Sequence, residues 1–179
     1  MNPFPARKVY VASSGRVDDV RLPRRKGKNA AGAVIRTGAA DLTGRRPVST
    51  SSRVVSSHAT AFVEARRFVR ESVGPVPRWI VDDAVLLTSE LVTNAVRHAG
   101  LDDQDTIEVI VSVDPRVLRI TVRDRGPGFD PKAVIRPRSD EGGWGLDLLR
   151  LLSSRWNVDR GSAGTDVWFE IDLPDGSGD

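Results

Sequence analysis

Four short stretches of this chain combine residue types that can do chemistry. The first is Glu90, Asn94 and His98, which recur at every fourth position. On a helix, such spacing projects all three from one side. With Ile80 at the origin of a helical wheel of about 100° per residue, Ala84, Leu87 and Leu91 cluster around it. Glu90 and Asn94 then fall beside that apolar face, not opposite it. A carboxylate and an amide at the edge of a buried stripe are partly desolvated, which is unfavourable without a metal, a ligand or a hydrogen-bond network to receive them. A boundary Glu followed by a helix-capping Asn fits the same spacing.

The second is Asp124, which continues the row Leu118, Ile120, Val122 and so directs a carboxylate inward at a strand end. Arg125-Gly126-Pro127-Gly128-Phe129 follows at once. Glycines there let the backbone turn and approach a ligand closely. An inward carboxylate accepts hydrogen bonds well, for instance from an exocyclic amine; an Asp-capped tight turn reads the same way. The third is Gly142-Gly143-Trp144-Gly145-Leu146, a glycine run opening a helix. Such a junction presents free N–H groups and the positive end of the helix dipole, which suit phosphates. It lacks the Gly-Lys-Ser/Thr ending of a Walker A loop and does not follow a first strand as a dinucleotide fingerprint does. The fourth is Gly164-Thr165, a glycine and a hydroxyl entering the last strand.

The elements that must position these residues can be read from periodicity. Ala59, Phe62, Val63, Val69 and Val73 fall in one helical stripe and predict a helix over about 58–72, ended by Gly74-Pro75. Arg66 is a charge inside that stripe. A second helix is predicted over about 79–98, with Asp82 and Asp83 in its first turns and Gly100 just past its end. Thr106–Val113 and Val117–Asp124 alternate apolar and polar residues across the turn Asp114-Pro115-Arg116, which predicts an antiparallel hairpin. A loop over 126–143, a helix over Gly145–Ser153 and strands at Trp156–Val158 and Asp166–Leu173 follow. That order implies an α/β sandwich of two layers, with an antiparallel or a mixed, mostly antiparallel sheet and helices on one face.

Composition bounds the function. The 179-residue chain has no cysteine and only two histidines. Disulfides, thiolate metal sites and cysteine nucleophiles are excluded, and a histidine-rich metal site is disfavoured. No apolar run approaches the roughly 18 residues of a membrane span, and no export signal opens the chain. The expectation is a cytoplasmic protein. Net charge is +3, but residues 1–53 carry 12 basic and 3 acidic residues, whereas 54–179 carry 15 and 21. The acidic remainder argues against a nucleic-acid surface on the folded part. Residues 1–48, including the run Arg24-Arg25-Lys26-Gly27-Lys28, show no persistent period. They are expected to be a disordered basic tail, dispensable for folding, before a domain at 49–174 and a frayed end at 175–179.

Taken in order, Glu-x-x-x-Asn, Asp-x-Gly-x-Gly-Phe after a hairpin, Gly-x-Gly-Leu opening a helix and Gly-Thr before a closing strand resemble the ATP-binding fold of the GHKL superfamily. The resemblance covers roughly residues 55–173, and Ser89-Glu90-Leu91-Val92-Thr93-Asn94-Ala95 is closest to the anti-sigma-factor serine kinase branch. It implies ATP and Mg²⁺ as cofactors. Asn94 would hold Mg²⁺ through its side-chain oxygen, and Glu90 would be general base towards the acceptor hydroxyl. Asp124 would accept from the adenine amine with support from Thr165. Gly126, Gly128, Gly143, Gly145 and Leu146 would shape the nucleotide site, and Arg97 or His98 would contact phosphate or ribose. Arg66 matches an arginine of an Ala-Arg pair that faces protein partners. The implied partners are a sigma factor and a small antagonist protein phosphorylated on serine or threonine, with a homodimer as the implied assembly and no membrane. A catalytically weak ATP-binding module that controls a partner stoichiometrically is the alternative. The short loop between Phe129 and Gly142 and the basic extension depart from the family pattern.

Overall fold

The computed structural model describes residues 34–38, 49–98, 100, 105–127, 145–161 and 164–174. The elements run β1 (Val34–Gly38), β2 (Ser49–Ser56), α1 (Ala61–Ser72), α2 (Arg78–His98), β3 (Thr106–Asp114), β4 (Val117–Asp124), α3 (Gly145–Leu152), β5 (Arg155–Gly161) and β6 (Gly164–Asp172). The strands form one sheet in the order β1-β2-β3-β4-β6-β5.

Alternation builds the core side of that sheet. Ile107, Val109 and Val111 on β3, Leu118, Ile120 and Val122 on β4, and Val167, Phe169 and Ile171 on β6 are buried. They meet rung by rung, as in Val111↔Ile120 and Ile120↔Phe169. From the helical layer Phe68, Val69, Ile80, Leu87 and Leu149 close on this face. Burying each large side chain contributes about 1.5–3 kcal/mol. The turn between β3 and β4 is held by the Arg116 N–H donating to Asp114 Oδ1 at 3.0 Å. Gly74, just after α1, has φ +67°, a conformation that favours glycine and ends the helix.

Every neighbouring strand pair among the described residues is antiparallel, one of the two arrangements that the element order leaves open. The reason is the placement of β6. A single helix, α3, leads from β4 to β5, which leaves those two strands parallel to each other. β6 returns by a hairpin and inserts between them, antiparallel to both.

Two strands precede the predicted first helix. β2 escapes a periodicity reading because two of its core-side residues, Ser51 and Arg53, are polar although buried. Arg53 is accommodated by stacking over Phe68, with 5.0 Å from the guanidinium carbon to the ring centre, and by donating to Glu71 Oε2 at 3.4 Å. β1 lies inside the expected tail, which is therefore structured at residues 34–38 through pairing from Val34↔Arg53 to Gly38↔Ser49. The described residues include no others from 1–48 and none from 175–179.

The first helix begins at Ala61, and its buried residues are Ala61, Ala65, Phe68 and Val69. Val63, expected inward, is exposed. The true stripe is rotated because it relies on two alanines, which let the helix sit close to the sheet but add little to a hydrophobicity pattern.

Candidate functional site

α2 carries Glu90 and Asn94 on the flank that faces α3. Both are half-buried. Gly145, the first residue of α3, is buried against them. A Cβ at Gly145 would stand 2.7 Å from Asn94 Nδ2 and 3.9 Å from Glu90 Cβ. Glycine at this position therefore leaves the space in which the Asn94 amide sits. Leu146, the next residue, is partly buried and packs on the core. Arg97 is exposed, seven residues beyond Glu90 and thus on the same stripe of α2.

The end of β4 supplies the second part. Asp124 is 6% exposed and Thr165 2%, and the two are paired across β4 and β6. The Gly126 N–H donates to Asp124 Oδ1 at 2.7 Å, and the Thr165 hydroxyl donates to Gly126 O at 2.9 Å. Carboxylate, buried turn glycine and threonine thus form one hydrogen-bonded unit, which among the described residues leaves Oδ2 of Asp124 to accept from another group. Burial pushes the Asp124 carboxyl above the usual carboxylate range, the Gly126 N–H draws it back, and the charge of Asp166 adds to the rise.

Gly164, noted from sequence only as the partner of Thr165, is a structural requirement of this unit. Its φ is +138°, and a Cβ there would overlap Asp124 O. The entry to β6 can lie against the end of β4 only with glycine at 164. On the opposite face of the sheet, Arg123 and Asp166 bond across the neighbouring rung. Strand alternation carries the signal for that pair: Arg123 precedes the inward Asp124 and Asp166 follows the inward Thr165.

Arg66 is half-buried, and its Nε donates to Ser89 Oγ at 2.6 Å while its guanidinium lies 5.3 Å from the Phe62 ring centre. Ser89 in turn donates to Val85 O at 2.6 Å. The charge inside the apparent apolar stripe of α1 is therefore received by α2. Gly128, Gly143 and the side chain of His98 lie outside the described residues.

The donor set fits a nucleotide with a divalent cation. Among the described residues no group of three or more His, Cys, Asp and Glu could hold a metal by itself. A hard cation at this site would take an oxygen from Asn94 and complete its shell with phosphate and water oxygens. Asp124, an inward acceptor, suits a base bearing an amine. No helix among the described residues is long and apolar enough to cross a membrane.

The RsbU and RsbW domains of Rv1364c from Mycobacterium tuberculosis superpose with a TM-score of 0.51 at 23% identity, over 68% of this chain and 32% of that one. The histidine kinase domain of a blue-light activated histidine kinase from Erythrobacter litoralis gives a TM-score of 0.45 at 25% identity, over 66% and 62%. A second structure of that kinase gives 0.46 at 25%, over 66% and 42%. This chain thus spans less than two thirds of each matched chain. No curated protein matches the sequence. The family of histidine kinase-like ATPase domains matches residues 55–171, which contain α1 to α3 and both halves of the site. The chain belongs to the family of histidine kinase-like ATPase domains.

Proposed function

We propose that this chain is an ATP-dependent regulator that phosphorylates a serine or threonine of a small antagonist protein and sequesters a sigma factor. The observation that carries the reading is the joint placement of Glu90 and Asn94 against Gly145, beside a sheet that presents Asp124, Gly126 and Thr165 as one bonded unit. Asp124 accepts a hydrogen bond from the adenine amine, and the turn at Gly126 keeps it aimed. The N–H groups opening α3 face the phosphates, where free donors and the helix dipole favour negative charge. Asn94 would hold Mg²⁺, which when bound neutralises charge on the transferring phosphoryl group. Glu90 takes the proton of the acceptor hydroxyl as its oxygen bonds to the γ-phosphorus, and the bond to the β–γ bridging oxygen breaks, releasing ADP. Arg97 reaches phosphate or ribose from the exposed stripe of α2. Partner contact falls on the outer surface of α1 around Arg66, where Val63 is 54% exposed beside Phe62.

The RsbW domain in one matched structure supports this direction as a likeness of fold. The deciding experiment is phosphotransfer from γ-labelled ATP to small antagonist-like proteins of the same cell. Labelling of one of them supports the kinase. Tight ATP binding without transfer to any of them overturns it in favour of a module that controls its partner stoichiometrically.

A further inference from the structure

Arg123 and Asp166 face one another on the side of the sheet that, among the described residues, carries no helix. Their rung is next to the rung Asp124↔Thr165. Arg123 Nε and Nη2 donate to Asp166 Oδ1 and Oδ2, both at 2.7 Å, and Nη1 donates to Glu108 Oε2 at 3.4 Å. The paired fork is the strong form of an arginine–carboxylate contact, because two parallel bonds fix both groups. One side chain therefore ties β3, β4 and β6 together one residue away from the buried carboxylate.

That carboxylate accepts best from a ligand amine as an anion. Its Oδ1 is committed to the Gly126 N–H. A proton on the other oxygen would turn the remaining acceptor into a donor. Burial already favours protonation of Asp124, and Asp166 adds to that tendency. Among the described residues the other charged groups near this end of the sheet are Arg125 just past the end of β4, Glu108 on β3, Asp159 opposite Asp166 and Arg160 opposite Thr165 on β5, and Glu90 and Arg97 on α2, the helix packed on β4. Among these acidic groups Asp166 is the one whose charge raises Asp124.

We propose that Arg123 is a positioning residue of the nucleotide site acting from the far face of the sheet: its two-point clamp on Asp166 offsets the like charge beside Asp124 and keeps Asp124 an anionic acceptor. The proposal rests on the reading of Asp124 as the acceptor for the nucleobase amine.

The test is a carboxyl-carbon NMR titration of Asp124 in ligand-free protein at low salt, paired with calorimetric ADP affinity across pH. In Arg123→Met the Asp124 midpoint moves to higher pH, and the acid loss of ADP affinity moves with it. Affinity returns towards the wild-type value at high pH. Arg123→Lys recovers part of the shift, since it keeps the charge without the fork. Asp166→Asn moves the midpoint to lower pH. The double variant Arg123→Met with Asp166→Asn falls back to the wild-type midpoint or below it, although it lacks the clamp altogether. High salt shrinks the shifts, because the pair is partly exposed. An unmoved midpoint in Arg123→Met overturns the proposal. So does an affinity loss equal at all pH values that the second substitution does not reverse, the mark of a purely structural tie. Should Arg123→Met not fold, Arg123→Gln, which keeps a polar head without the charge, decides by whether its Asp124 midpoint rises. Midpoints that move as expected in a protein that binds no ADP at any pH would overturn the nucleotide reading itself, a failure separable from that of the clamp.

Discussion

Gly145 and Asn94, 51 positions apart in the chain, are in such close contact that a Cβ at Gly145 would stand 2.7 Å from the Asn94 amide nitrogen. The start of α3 and the C-terminal part of α2 thus share one space. Alanine at a helical position ordinarily gains about 0.5–1 kcal/mol over glycine. Here the added methyl meets the mobile end of a side chain, which can swing away. Gly145→Ala should therefore melt at or above the wild-type temperature, while Mg²⁺-dependent ATP affinity and phosphotransfer fall about 10–100-fold through displacement of Asn94. Calorimetry beside a thermal melt checks both halves.

Glu90 and Asn94 should fail differently. Glu90→Gln keeps size and most hydrogen bonding but cannot take the proton. Its ATP affinity should be nearly unchanged while transfer falls by roughly 10²–10⁴-fold, the scale of general-base loss. Asn94→Ala should lose Mg²⁺-dependent affinity and transfer together. Transfer by Glu90→Gln at the wild-type rate would assign the base elsewhere.

Asp124→Asn separates binding from stability. The amide oxygen can still accept from Gly126, but its NH₂ opposes the ligand amine. ATP and ADP affinity should both weaken by about 1–3 kcal/mol. Stability should change the other way. The folded carboxyl titrates above the usual carboxylate range. In the window between that range and its raised folded value, the native state holds more protons than the unfolded one. Wild-type stability from this group therefore declines as pH rises through the window. Asparagine removes the cost of the buried charge, so the variant should melt higher than wild type at neutral pH, with the gap closing on acidification. Melts across pH read the sign directly.

Gly164→Ala should be destabilising by more than about 2 kcal/mol, because the left-handed φ and the overlap with the Asp124 carbonyl act together. Thr165→Val loses one buried hydrogen bond to Gly126 O and leaves that acceptor unmet, for about 1–3 kcal/mol. Urea unfolding of the pair should rank them in that order.

Truncation tests the strand before the family match. A chain starting near Ala31 keeps β1, whereas one starting at Ser49 leaves the backbone of β2 unpaired along a sheet edge. The shorter chain should melt several degrees lower, for a loss on the order of 1–2 kcal/mol. Equal melting of the two would mean that β1 pairing adds nothing.

The elements that hold the catalytic candidates were legible because their periods are dense. Ile80, Ala84, Leu87 and Leu91 declare α2, and the alternating rows of β3 and β4 declare the hairpin and the inward aim of Asp124. Local sequence sets these periods, so they can be read without knowing the neighbours. β2 could not be read that way, since Arg53 becomes a core-side residue only when Phe68 of α1 lies over it. The stripe of α1 escapes a hydrophobicity pattern because a close helix–sheet approach selects Ala61 and Ala65, which carry little hydrophobic weight. Tertiary structure alone decided the reception of Arg66 by Ser89, the meeting of Gly145 with Asn94, and the clamp between Arg123 and Asp166. The last pair spans 43 positions and exists only because β6 inserts between β4 and β5. Strand order is settled by which apolar faces close on one another across the whole core, an energy shared among distant residues that no local window contains.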